Sequence, residues 1–90
     1  MVLYNKFVNN WEMSGYAQDN PFRKERTLLG DRIRSIREKK GLTQEDLADK
    51  ASIDVSYLAK IENGYVNTTI RYLIKISRAL GVKAKDLLDF

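Results

Sequence analysis

The chain has 90 residues, 43% of them hydrophobic and 31% charged, which supports one compact domain and excludes disorder throughout. It holds no cysteine and no histidine, which removes disulfides, thiol nucleophiles, imidazole bases and the usual zinc ligands together. The net charge of +4 points toward a polyanionic partner such as nucleic acid, against the plainer reading of a basic solvated surface.

That charge is uneven along the chain. Residues 23–41 carry eight cations against three acids, net +5, whereas residues 42–64 carry two against five, net −3. Whatever residues 42–64 touch, positive charge is not what holds them there. No apolar run approaches the roughly 18 residues that span a bilayer. The start, Met1 to Lys6, lacks the long apolar stretch of a secretory signal. A cytoplasmic protein without membrane contact is expected, and the absence of cysteine fits a reducing compartment.

Residues 1–26 read as an N-terminal extension, and residues 27–90 as a helix-turn-helix DNA-binding domain. The extension holds Tyr4, Phe7, Trp11, Tyr16 and Phe22 among small and polar residues. Val2, Leu3, Phe7, Val8 and Trp11 could form one face of a short helix, and Asp19-Asn20-Pro21 reads as a turn. Such a segment packs on the domain or on a second copy, or is a free arm. Arg23, Lys24 and Arg26 could track phosphates, as basic arms do.

The remainder is helical and well punctuated. Leu29, Ile33 and Ile36 set a first helix over about Leu28–Lys40, with cations in its last turn and Gly41 at the left-handed cap position. Thr43 opens a second helix, with Asp46 completing a capping box and Leu47, Ala48 and Ala51 facing inward. After the short Ser52-Ile53 connection, Asp54 caps a third helix running to Asn63, with Leu58 and Ile61 apolar. Thr68 or Thr69 caps a fourth, where Ile70, Leu73, Ile76 and Leu80 repeat before Gly81. A short fifth spans about Lys83–Leu88. No strand-like alternation appears, so the fold class is all-α.

Two short helices joined by about three residues form a helix-turn-helix unit, able to lay its second helix in a groove about 12 Å wide. Here Ala48 is small where the helices would cross. Val55, Ser56, Ala59 and Lys60 are left on the outer face. Ser56 can donate or accept at a base edge, Lys60 can reach guanine acceptors, and Val55 can pack on a thymine methyl or turn into the core. Tyr57 could contact the sugar–phosphate backbone or fill a gap against the fourth helix. Gln44, Thr68 and Thr69 stand at helix starts, where amides bind phosphate without any cation.

Four segments together carry a family resemblance: Leu29-Gly30-Asp31-Arg32-Ile33-Arg34, Gly41-Leu42-Thr43-Gln44-Glu45-Asp46-Leu47-Ala48, Tyr57-Leu58-Ala59-Lys60-Ile61-Glu62-Asn63-Gly64 and Ala79-Leu80-Gly81-Val82. At this spacing the chain resembles the xenobiotic-response-element (Cro and phage-repressor-like) helix-turn-helix family over roughly residues 28–88. The resemblance implies a compact five-helix, lambda-repressor-like domain. It also implies a double-stranded DNA operator, a homodimer on an inverted repeat, and a repressor, restriction–modification controller or antitoxin as the kind of protein. It places Val55, Ser56, Tyr57 and Lys60 at base-reading positions, and Thr43, Gln44 and Asn63 against phosphate. Asn67, Thr68 and Arg71 are the further phosphate candidates, with Arg34 beside them. It pairs Arg37 with Glu62 in a salt bridge between the first and third helices. The chain departs from many members in having Tyr65 and Val66 where basic residues follow the Asn-Gly. Affinity should therefore lean on amides, hydroxyls and a second subunit.

No catalytic residue, metal site or cofactor is expected, because no paired-carboxylate, Gly-rich phosphate or metal motif is present. The competing reading is a protein-interaction module of the same fold, such as an antitoxin binding a partner protein. Tyr72, Ile74, Leu88 and Phe90 are candidates for the dimer surface.

Overall fold

A computed structural model describes residues 21–90. The expected helix face at Val2 to Trp11, the Asp19-Asn20 half of the expected turn and the aromatics before Phe22 lie outside the described residues. Within them the chain forms five helices and no strand: α1 (Arg23–Lys39), α2 (Gln44–Ala51), α3 (Val55–Glu62), α4 (Ile70–Leu80) and α5 (Ala84–Leu87).

Each helix starts and stops on local chemistry. The Thr43 hydroxyl accepts from the Asp46 amide at 3.0 Å, and the Asp46 carboxylate accepts from the Thr43 amide at 2.9 Å, closing the capping box. Asp54 caps α3 through the Tyr57 amide, and Thr69 rather than Thr68 caps α4 through the Tyr72 amide. Beyond α1, Gly41 takes the left-handed conformation at φ 72°.

The core is one cluster built from all five helices: Leu29 and Ile33, Leu47 and Ala48, Leu58 and Ile61, Leu73, Ile76 and Leu80, and Leu87. Leu47, Leu58 and Ile76 are wholly buried, and truncating any of them to alanine costs about 2–5 kcal/mol. Gly30 admits α3 to the surface of α1. A Cβ there would stand 2.3 Å from the Glu62 carbonyl oxygen and 2.7 Å from that of Ile61.

Two expectations are corrected. α1 begins at Arg23, not near Leu28, so the expected boundary after residue 26 falls inside a helix. Arg23 to Thr27 show no apolar period, but Arg26 is buried and bonded to the turn after α3, which extends the helix. Ile70, expected inside on helical spacing, is 67% exposed. Spacing fixes which face a residue takes, not how far the neighbouring helices reach along it, and Ile70 is the first residue of α4.

Candidate nucleic-acid interface

The angle between α2 and α3 is set in three residues. Ser52 ends α2 in the left-handed region at φ 57°, its amide donating to the Asp49 carbonyl at 3.2 Å. The Ile53 amide closes the turn on the Ala48 carbonyl at 3.0 Å. From α4, the Lys75 ammonium donates to the Ser52 carbonyl at 3.2 Å and sits 5.9 Å from the Tyr72 ring centre. Ala48 is 3% exposed and belongs to the core cluster.

The far end of α3 is anchored by one buried carboxylate. Glu62 accepts from Arg37 through Nε at 2.7 Å and Nη2 at 3.0 Å, a bidentate pair. Its Oε1 also accepts from the Gln44 amide nitrogen at 2.9 Å, so the carboxylate ties α3 to both α1 and α2. Arg37 reaches further, to the Leu42 carbonyl at 2.8 Å. The Glu62 hydrogen bonds outweigh desolvation and raise the Arg37 guanidinium above its ordinary value.

Two more α1 arginines close on the same end. Arg34 donates to the Glu62 carbonyl at 3.0 Å and to the Asn63 side-chain oxygen at 3.2 Å. Arg26, 6% exposed, donates through Nε to the Gly64 carbonyl at 2.9 Å and through Nη1 to Pro21. The Glu62 and Gly64 carbonyls lie at the negative end of the α3 dipole, where cations are favoured. Arg26 is therefore packed inside and not offered to a phosphate as a basic arm would be.

The near end of α3 faces outward. Asp54, Val55 and Ser56 are exposed, Val55 by 37%, as is Lys60 in the last turn of the helix. Asp54 accepts from the Ser56 hydroxyl and, at 3.3 Å, from the Tyr57 amide. The Ser56 hydroxyl first, then the amides of Tyr57 and Ser56 and the Lys60 charge, hold the Asp54 carboxyl below the usual range. Tyr57 differs from its neighbours. It is half-buried, its ring centre 4.7 Å from that of Tyr72 on α4, so its ring fills the space between α3 and α4.

The phosphate candidates divide in the same way. Thr43 caps α2 by accepting, which leaves its hydroxyl hydrogen to donate outward. Gln44 is half-buried with one amide hydrogen committed to Glu62 and one left over. Asn63 is exposed, and Arg34 holds its oxygen, which turns its amide nitrogen into the available group. Asn67, on the segment leading into α4, and Arg71, in its first turn, are exposed. The Thr68 hydroxyl is buried and without a partner, so it faces no solvent. Of the dimer candidates, Ile74, Leu88 and Phe90 are exposed, while Tyr72 is half-buried against Tyr57.

Sequence reasoning missed the Gln44–Glu62 bond, the burial of Arg26 and the Lys75 brace. Their partners lie 18, 38 and 23 residues away, and no local pattern marks them. It read Asp54 only as a cap, although an ionised group at the exposed start of the outer helix was a sufficient signal.

A helix-turn-helix family profile matches residues 33–87. The chain is 44% identical over 66 residues to the control protein C.BamHI of Bacillus amyloliquefaciens, covering 72% of this chain and 82% of that one. It is 41% identical over 63 residues to the transcriptional regulator SinR of Bacillus subtilis, covering 69% of this chain and 57% of that one. Among solved structures, SinR in complex with DNA superposes with a TM-score of 0.64 at 42% identity, covering 68% of this chain and 98% of that one. The restriction-modification controller protein C.AhdI from Aeromonas hydrophila superposes with a TM-score of 0.70 at 33% identity, covering 71% of this chain and 97% of that one.

Proposed function

The chain belongs to the helix-turn-helix family, in its xenobiotic-response-element-like branch, and on that premise we propose that it is a DNA-binding transcriptional regulator whose α3 lies in the major groove. The observation that carries this reading is the outer face of α3: Val55, Ser56 and Lys60 are exposed on a helix whose other end is fixed by the Glu62 hub. A helix that is to read bases must keep its side chains in place while it is desolvated, and that anchoring supplies the rigidity.

In this reading Val55 packs on a thymine methyl, and Ser56 and Lys60 meet base edges, with Tyr57 propping α3 against α4. Thr43, Gln44, Asn63, Asn67 and Arg71 supply backbone contacts, mostly uncharged, so affinity falls only shallowly with salt. The chain acts as a homodimer on an inverted repeat and sets its own occupancy through its concentration, as an autoregulating repressor or controller. C.BamHI and C.AhdI, named as controllers, and SinR, solved on DNA, support that choice. No catalytic step is part of it. Among the described residues no helix is long and apolar enough to cross a membrane, in keeping with a protein of the cytoplasm.

Selection of bound duplexes from a random pool tests the proposal. An inverted repeat with half-sites about 34–36 Å apart, or a multiple of that, is expected. No enriched sequence, with nuclear magnetic resonance showing the fold intact, would overturn it.

A further inference from the structure

The start of α3 has a hydrogen-bonding character that the rest of the exposed face lacks. A serine hydroxyl carries one hydrogen, and that of Ser56 is given to the Asp54 carboxylate. The Ser56 oxygen is left with lone pairs alone. Asp54 is ionised and offers only acceptors, and the Ser56 hydroxyl and the Tyr57 amide both donate to the same oxygen of its carboxylate. Val55, between them, has no polar side-chain atom. The exposed side chains at the start of α3, Asp54, Val55 and Ser56, thus present acceptors and methyl groups and no free donor, the Tyr57 hydroxyl beside them belonging to a half-buried ring.

The major groove answers such a surface at few places. Its only donors are the exocyclic amino groups, N6 of adenine and N4 of cytosine. Guanine presents N7 and O6, and thymine O4, all acceptors. Acceptors facing acceptors in a desolvated contact leave both sides unpaired, which costs more than a missing contact. The carboxylate also repels phosphate, so it gives nothing to non-specific binding.

We propose that Asp54 and Ser56 act as one specificity element that takes the exocyclic amino group of an adenine or cytosine on the strand they face. This rests on α3 lying in the major groove. It adds which chemical group on the base is read, and makes Asp54 a determinant of sequence as well as a helix cap. Thymine or guanine at that place on that strand is excluded by lone-pair repulsion.

The test uses the full chain and its Asp54→Asn and Ser56→Ala variants. Asparagine caps helices as well as aspartate, so Asp54→Asn keeps the fold, and Ser56→Ala retains the cap outright. The three proteins are each used to select duplexes from a random pool. One column per half-site, restricted to adenine or cytosine on one strand, is expected for the parent and degenerate for both variants, other columns being kept. The second arm removes the amino group itself, with purine for adenine or 2-pyrimidinone for cytosine at that column. The parent should bind the altered duplex about 5- to 100-fold more weakly, and each variant within about threefold of its own unaltered site. Non-specific duplex should be bound more tightly by Asp54→Asn than by the parent. An enriched operator whose columns are the same for all three proteins, or amino deletion that weakens all three equally, overturns the inference and leaves the groove reading standing. An absence of any enriched sequence for the parent overturns both.

Discussion

The two ends of α3, a helix of eight residues, are built for opposite purposes. At the C-terminal end, Glu62 is wholly buried and Arg26, Arg34 and Arg37 of α1 close on it and on the carbonyls beyond it. At the N-terminal end, Asp54, Val55 and Ser56 are exposed and bond only to one another and to their own backbone. The contrast shows where the positive charge of residues 23–41 goes. Three of its eight cations are committed to holding α3 in place. These three arginines form a clasp, and in the proposed function recognition falls to the open face of α3.

If the ends divide stability from recognition, substitutions at the clasped end should unfold the protein and those at the open end should not. The largest effect is expected from Glu62→Ala, which leaves Arg37 buried without its partner. A loss of about 3–5 kcal/mol in urea unfolding is predicted. Gly30→Ala follows, because its methyl meets the Glu62 carbonyl oxygen and the backbones must part. A loss of about 1–3 kcal/mol is expected by the same measurement. At the turn that leads into the open end, Ser52 holds a left-handed backbone that glycine adopts freely. Ser52→Gly should therefore raise stability by up to about 1 kcal/mol, after the added freedom of the unfolded glycine is subtracted.

The smallest effect is expected from acid. The backbone amide and side chain of Thr43 hold the Asp46 carboxyl below its ordinary value, and the Ser56 hydroxyl holds that of Asp54. A depressed carboxyl contributes stability that is present above its unfolded value, near 3.8, and is lost as pH falls through the folded one. Thermal midpoints should thus be insensitive to these two groups between pH 7 and about pH 5 and should fall below about pH 4. The Asp46→Asn and Asp54→Asn double variant should show a shallower fall over that acid range.

The helix-turn-helix skeleton was legible in the sequence because its punctuation is local. Thr43 with Asp46, Asp54, Gly41 and Gly81 each declare a boundary within a few residues. The outer face of α3 was legible for the same reason, since Leu58 and Ile61 fix what lies opposite. The beginning of α1 was not, because Arg23 to Thr27 are helical on account of a bond from Arg26 to a carbonyl 38 residues on. Tyr57 held two roles open in the sequence, and its packing on Tyr72 of α4 appears only once the fold brings the two rings together. Glu62 was visible as a partner of Arg37, whereas its grip on Gln44 needed α2 and α3 to be set at their observed angle.

The proposed function requires that the open face of α3 recognise DNA while the clasp keeps the fold. Its most direct test is a titration of the parent protein and of a Ser56→Ala/Lys60→Ala double variant against the duplex that the parent selects. Binding at least about tenfold weaker is expected for the variant, with thermal stability unchanged within about 0.5 kcal/mol. Equal affinity for both proteins would contradict it.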